Sequence, residues 1–457
     1  MSSSIIDYFR CPDEVVKVRV EPELSVEPSF FRFGSGATGY GHISSGSSLW
    51  TSSNGVNDVR PNLRSVGQSL SLPFDPDEVV DNLRLERYLA NRNGLRSLPK
   101  KALRGSYYHV RSLLPAFLRH SIQRMYYAGW DRIPFPSWPV DCSVDRILQG
   151  VLRLLLQNEP EGIPFIWFWP EGLPSCAIMT HDIEEVGGRD FCTKLMDLND
   201  AYGIKASFQV VPEKRYPVPA TFLDGIRGRG FEINIHDVSH DGSLFQDEET
   251  FYKGAKKINR YAREFGALGF RAGSMYRHPD WYHALDVSYD MSIPAVAHME
   301  PQRGGCCTVM PYFIGNILEL PLTTTQDFAL INVLREYTCD LWRREIELVS
   351  AEHGLISFIV HPDYLLSAGA QKVYTELLSH LAALGREGRT WLALPREVND
   401  WWRQRAEMRL FRRGEGWIIE GPGKERARVA YARLKDGQLS YEIESHAYGP
   451  QGNCSPG

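Results

Sequence analysis

Nowhere in the 457 residues do about 18 apolar residues follow one another, so no segment reads as a membrane-spanning helix. The opening stretch MSSSIIDYFRCPDEVVKVRV has neither the basic start nor the apolar run of a secretory signal. The eight cysteines, at 11, 142, 176, 192, 306, 307, 339 and 454, lack the regular spacing of a disulfide framework and include no CxxC pair. That usage fits a reducing compartment. Strong charge of either sign is also missing: 51 basic against 56 acidic residues leave a formal net charge of -5, so no global field draws the chain to nucleic acid or to an anionic membrane. No internal repeat is evident. These absences lead us to expect a soluble, cytoplasmic protein with no nucleic-acid partner.

What is present is enough for a large core, since 43% of the residues are hydrophobic, and a chain of this length predicts two or three domains. Residues 34 to 71 are rich in Gly and Ser, which leave little to pack, and predict loops. From Pro76 the text PDEVVDNLRLERYLANR predicts a helix, with Pro at a first helical position, acids in the first turn and Val79, Val80, Leu83 and Leu85 as apolar residues. Further helices are predicted near 107 to 127, through Leu113, Leu114, Phe117, Leu118, Ile122 and Met125, and near 143 to 157. Residues 1 to 173 are thus expected to form a loop-rich, mainly helical N-terminal region. From 174 to 403 short apolar runs alternate with helical text, as in βα units around a parallel sheet. Strands are predicted at 176 to 180, 206 to 211, 231 to 236, 268 to 271, 317 to 322, 355 to 361 and 390 to 394, with helices at 190 to 202, 248 to 265, 332 to 352 and 370 to 386. Seven such strands predict an α/β fold, a distorted (β/α) barrel. Residues 404 to 457 predict a small β module, with Asp436-Gly437 as a hairpin signal.

Ionisable residues recur where the barrel strands end, the place where such barrels carry chemistry. THDIEE follows CAIM, HDVSH follows FEINI, GFRAGS carries Arg271, SYDMS carries Asp290, and FIVHPD carries His361 and Asp363. Two histidines four apart on one helical turn can face a common metal, and a carboxylate completes the two-nitrogen, one-oxygen set of a catalytic zinc site. With 13 histidines in the chain that spacing says little by itself, a surface or capping pair being the bland reading. The ordered set says more. THDIE, HDVSH, FRAGS and IVHPD resemble the motifs of the NodB-type polysaccharide deacetylases, carbohydrate esterase family four, over about residues 174 to 403. The resemblance implies a NodB-type barrel and one divalent ion, zinc first, held by Glu184, His236 and His240. It further implies catalytic roles for Asp182 as base, Arg271 as its holder and His361 as acid, with Asp290 standing for the fourth motif. Three positions depart from the family's usual pattern: Ile183 separates the two acids, Asp237 follows the first histidine where Ser or Thr is common, and Gly273 stands where Pro often lies.

The chemistry accounts for these residue types. A divalent metal polarises an amide carbonyl and makes hydroxide available, a carboxylate takes the proton of water, and an imidazolium protonates the leaving amine. The oxyanion is expected to lean on the metal and on a backbone N–H near Ala272, and Asp290 or Asp363 to fix the tautomer of His361. The expected activity is removal of an N-acetyl group from a sugar in a polysaccharide, glycolipid or precursor, with an N-acetylated saccharide as partner. The alternatives are hydrolysis of another C–N bond, such as a cyclic amide, and an inactive saccharide-binding protein that keeps the fold. Other features have plainer readings. The Cys306-Cys307 pair reads as buried small residues. Thr325, Gln326 and Asp327 read as turn caps or substrate contacts, and Trp281 and its neighbours as packing or a sugar platform. The basic, aromatic segment from Lys100 to Pro139 reads first as a packed cap and second as a peripheral membrane contact.

Overall fold

The computed structural model describes residues 3–34, 36–44, 57–59, 64–66, 69–92, 125–414 and 416–444. A nine-stranded sheet organises it. In chain order its strands are β1 (Cys176–Ile183), β2 (Ala206–Val210), β3 (Glu232–His236), β4 (Gly269–Arg271), β5 (Tyr289–Asp290), β6 (Tyr312–Ile314), β7 (Ile317–Glu319), β8 (Leu355–Ile359) and β9 (Trp391–Ala393). Neighbours run β6-β7-β5-β4-β3-β2-β1-β8, all parallel except the β6–β7 hairpin. All seven expected strands are among them, and β5 and β6, too short to show a period, are the additions.

β1 is the axis because each of its eight residues is buried, the pattern of a parallel strand covered on both faces. β8 pairs with residues 176 to 180 of β1, β9 with 176 to 178 and β2 with 179 to 183, so β2 and β9 share the edge opposite β8. The sheet curls until the chain beyond β7 lies against β8, and there side chains replace the backbone ladder. Thr323 Oγ1 donates to the Leu355 carbonyl (2.7 Å) and accepts from Ser357 N–H (2.9 Å), while Thr324 Oγ1 donates to the Ser357 carbonyl (2.8 Å). The result is the distorted (β/α) barrel that the strand count predicts.

Six helices cover it: α1 (Val186–Ala201), α2 (Ala220–Gly228), α3 (Glu248–Phe265), α4 (Asp340–Ala351), α5 (Ala368–Arg386) and α6 (Pro395–Glu407). α3 has the full set of local causes. Asp247 accepts from Thr250 N–H at its start, Gly266 ends it in a left-handed conformation, and Phe251, Ala255, Ile258 and Ala262 bury one stripe. α4 begins later than predicted, because residues 329 to 334 form a separate wide π-helical turn.

Among the described residues, the N-terminal region holds the helices expected from Pro76 and near 143, and strands where loops were expected. Ser3–Phe9, Pro76–Arg84 and Ser143–Leu155 are helical, but residues 18 to 72 contribute two three-stranded sheets of strands two to four residues long, too short to announce themselves by alternation. The helix predicted near 107 to 127 lies outside the described residues save for 125 to 127, which are helical. The N-terminal region and the C-terminal β module also meet. Strand Ile163–Ile166 pairs with Val429–Lys435, itself half of the hairpin turning at Asp436-Gly437. The buried Arg405 guanidinium on α6 donates to the carbonyls of Tyr8, Phe9, Ile166 and Trp167, which offsets the cost of burying a cation. Among the described residues no helix is long and apolar enough to cross a membrane.

Candidate metal centre and active site

The carboxyl ends of the strands set the site. Asp182 lies in the last turn of pleat of β1 and Glu184 just beyond it, His236 ends β3, Arg271 ends β4, and His361 follows β8 by two residues. Glu184, His236 and His240 each bring a ligand atom within 4.8 Å of the others. His240 Nε2 is 3.1 Å from Glu184 Oε1, and His236 Nε2 is 3.7 Å from Asp182 Oδ2. His236 Nδ1 donates to the Arg271 carbonyl (3.2 Å), which leaves the lone pair on Nε2, facing the cluster.

Burial pushes the His236 imidazolium down to about 4, so the ring is neutral as a ligand must be. His236 Nε2 and Asp182 Oδ1 are buried without a hydrogen-bond partner, a costly arrangement unless something polar completes it. Two imidazoles and one carboxylate, with orphaned acceptors beside them, fit a divalent ion of the catalytic zinc type.

The two histidines converge by a route other than the helical turn expected from their spacing. Residues 237 to 240 form a bend in which Asp237 and His240 both adopt left-handed backbone conformations, φ 58° and 49°. Asp237 Oδ1 accepts from Val238 N–H (2.6 Å), and Arg215 ties down the far side through the carbonyls of Ser239 and His240. A Cβ on Gly273 would lie 2.4 Å from Asp237 Oδ2 and 3.1 Å from His240 Cδ2. Two departures from the family pattern, Asp237 and Gly273, are therefore one adjustment: the larger acid fits because its neighbour has no side chain.

Around the cluster stand two charge pairs. Arg271, fully buried, places NH1 3.6 Å from Asp182 Oδ2 and NH2 3.1 Å from Thr180 Oγ1. Burial would raise the Asp182 carboxyl, but Arg271, His236 and His361 bring it below the usual carboxylate range. On the other side His361 Nδ1 is 2.6 Å from Asp327 Oδ1, and its backbone N–H donates to Asp327 Oδ2 (2.7 Å). Burial alone would lower His361, yet the Asp327 carboxylate pushes it up to about 10, so the ring carries a proton. His361 Nε2 is 3.7 Å from Glu184 Oε1, facing the cluster.

Asp327 is the residue that the sequence reading undervalued. It ended LPLTTTQD as a turn cap or substrate contact, and its partner lies 34 residues on. The acid expected in its place, Asp290, is turned elsewhere. Its carboxylate accepts from Ser292 N–H (3.1 Å) and Oγ (2.6 Å) and shares a buried contact with Glu319, whose carboxyl is driven well above its usual range by burial and by Asp290. Asp363 does not fix His361 either. It accepts from the backbone N–H groups of Glu184, Glu185 and Gly188, shaping the turn that carries Glu184. The N–H of Ala272 itself is spent on Ser292 Oγ (2.8 Å). Cys306 and Cys307 are buried as expected, and all seven described cysteines are free thiols. Trp281 stacks on His278, ring centroids 4.1 Å apart, so those aromatics pack on one another.

No protein-family model matches the chain, and no curated protein matches it. Solved structures do. One described as a candidate polysaccharide deacetylase, from Mycobacterium smegmatis, is 17% identical with a TM-score of 0.41, and the match covers 55% of this chain and 98% of that one. PuuE allantoinase is 13% identical with a TM-score of 0.40, over 51% and 92% of the two chains. A variant of the peptidoglycan deacetylase PdaC from Bacillus subtilis is 11% identical with a TM-score of 0.33, over 50% and 93%. Likeness at this level leaves the activity to be argued from the residues themselves.

Proposed function

We propose that this chain is a metal-dependent amide hydrolase that removes the N-acetyl group of a saccharide. The observation that carries the reading is the meeting of three separate devices at one end of the barrel. They are a Glu184, His236 and His240 cluster, an Asp182 carboxylate beside the Arg271 guanidinium, and a His361 ring held through Nδ1 by Asp327. Metal storage or a purely structural ion would need only the first.

Glu184, His236 and His240 would hold one divalent ion, zinc by the chemistry of the donors. Bound there, it supplies a Lewis acid that polarises the amide carbonyl and acidifies water. Asp182, ionised and aimed at the cluster, takes the proton from the attacking water, and Arg271 keeps that carboxylate charged and oriented. His361 presents Nε2 toward the same space, with Nδ1 bound to Asp327, and delivers its proton to the leaving nitrogen so that the amine departs neutral.

The test is acetate release from N-acetylated saccharides, run beside hydrolysis of a cyclic amide. Acetate with an equal yield of free amine supports the reading. Ring opening alone would move the chain to the second C–N substrate class, and saccharide binding without either product would make it an inactive binding protein.

A further inference from the structure

Just after Arg271 the chain makes a tight turn, residues 273 to 276, whose Gly273 stands against Asp237 and His240. Two residues of that turn, Ser274 (φ 55°) and Met275 (φ 53°), hold left-handed backbone conformations, which are unfavourable for residues that carry a side chain. Such a turn keeps its shape only where its surroundings enforce it. Ser292 Oγ holds one end through the Ala272 N–H (2.8 Å), and Met275 packs on Leu322 and Ile359. The other end is held by Arg277, whose NH1 donates to the Met275 carbonyl (2.8 Å).

Arg277 is held in turn from outside the barrel. Glu86, just past the helix Pro76–Arg84 of the N-terminal region, takes Arg277 Nε on Oε2 (2.7 Å) and Arg277 NH2 on Oε1 (2.5 Å). Glu86 Oε1 also accepts from Gly305 N–H (2.6 Å), and a Cβ on Gly304 would lie 2.4 Å from it. Gly304 and Gly305 of RGGCC therefore make room for this carboxylate. Both partners are buried, Glu86 at 6% exposure and Arg277 at 3%. Net stability does not account for such a pair, because apolar side chains of similar volume are often as stable or more so. What apolar side chains lack is direction. The guanidinium fork engages the carboxylate along one edge and leaves NH1 aimed at a single carbonyl.

Resting on the metal-centre reading above, we propose that Glu86 and Arg277 are positioning residues for the metal site. Through them the N-terminal region sets the turn at 273 to 276, and with it the wall against which Asp237 and His240 stand. The site at the strand ends is thus completed by a part of the chain that lies outside the barrel and contributes no ligand.

The experiment uses the chelator-stripped full chain, with zinc alone as the probe. Glu86→Leu combined with Arg277→Met replaces the pair by apolar side chains and leaves no buried charge unpaired. This double variant is expected to melt at a temperature comparable to that of the unsubstituted chain and to bind zinc about ten-fold more weakly, or about 1.4 kcal/mol. The amides of Met275 and Tyr276, bonded to the carbonyls of Ala272 and Gly273, should exchange with solvent faster, while those of β1 and β8 stay unchanged. Arg277→Lys keeps the charge without the fork and should show both changes, with zinc affinity at least about three-fold lower; it decides the matter if the double variant does not fold. Unchanged zinc affinity in either folded variant, or faster exchange spread evenly over the barrel, would overturn the positioning role. Acetate release by the unsubstituted chain separates the two claims. Zinc affinity that depends on the pair, without acetate, strikes the hydrolase and keeps the positioning role, whereas acetate with zinc affinity indifferent to the pair does the reverse.

Discussion

Gly273→Ala should damage the metal centre although residue 273 is not a ligand. The added Cβ would sit 2.4 Å from Asp237 Oδ2, and that oxygen must retreat about 0.6 Å to reach 3.0 Å, a distance real Cβ atoms essentially never undercut. Asp237 is 3% exposed and bonded to Val238 N–H, so the shift cannot be absorbed by solvent and is passed along the bend to His240. Overpacking of this kind costs about 1 to 3 kcal/mol. Delivered to the ligand geometry, that corresponds to a 5- to 150-fold loss of zinc affinity, to order of magnitude. Competition against a chromophoric chelator reads it directly. The cycle is closed by Asp237→Gly, which removes the obstructing carboxylate and tolerates the left-handed backbone at that position. The double variant should bind zinc about as tightly as Asp237→Gly alone, with a coupling of more than about 1 kcal/mol. Equal zinc affinity in Gly273→Ala and the unsubstituted chain, or a double variant as weak as the sum of both losses, would refute the reasoning.

Three more outcomes are expected. Asp182→Asn and His361→Ala should each lower turnover about 100-fold or more while zinc content by mass spectrometry is retained, since neither is assigned as a ligand; near-normal deacetylation by either removes its role. Stripping the metal with a chelator should lower the melting temperature, because a ligand held only by the folded state stabilises it by about 2.7 kcal/mol at 100 times its Kd. An unchanged melting curve would mean that the cluster binds no ion. Finally, burial pushes the Glu345 carboxyl up to about 8, whereas in the unfolded chain it ionises near 4.3. Its neutral form is favoured by folding, so this contribution is full below about pH 4 and is lost as the pH rises to about 8, at up to roughly 1.4 kcal/mol per unit. Glu345→Gln should therefore melt higher than the unsubstituted chain at pH 8 and about equally at pH 4.5, and equal melting temperatures at both would contradict it.

The barrel was legible in the sequence because parallel strands covered on both faces must be written as continuous apolar runs, and β1, β2, β3 and β8 are buried along their whole lengths. The ionisable residues that interrupt those runs at their carboxyl ends stood out against them, which is why Asp182, His236, Arg271 and His361 could be named. What was hidden is what depends on distance in space. The contact between Asp327 and His361 crosses 34 residues, and nothing in LPLTTTQD says which acid of the chain will face that ring. Asp290, at an equally plausible strand end, is instead consumed by Ser292 and Glu319. The N-terminal sheets escaped because strands of two to four residues carry no period to read. The pairing of Asp237 with Gly273 could have been noticed as two unusual residues, but only the geometry makes them one.

The most direct test is a titration of the chelator-stripped chain with zinc while acetate release from an N-acetylated oligosaccharide is followed. Activity should rise from near zero and level off at one equivalent of zinc per chain, and chains with His236→Ala or His240→Ala should stay near zero at that ratio. Full acetate release before any zinc is added, or none at any ratio, would contradict the account.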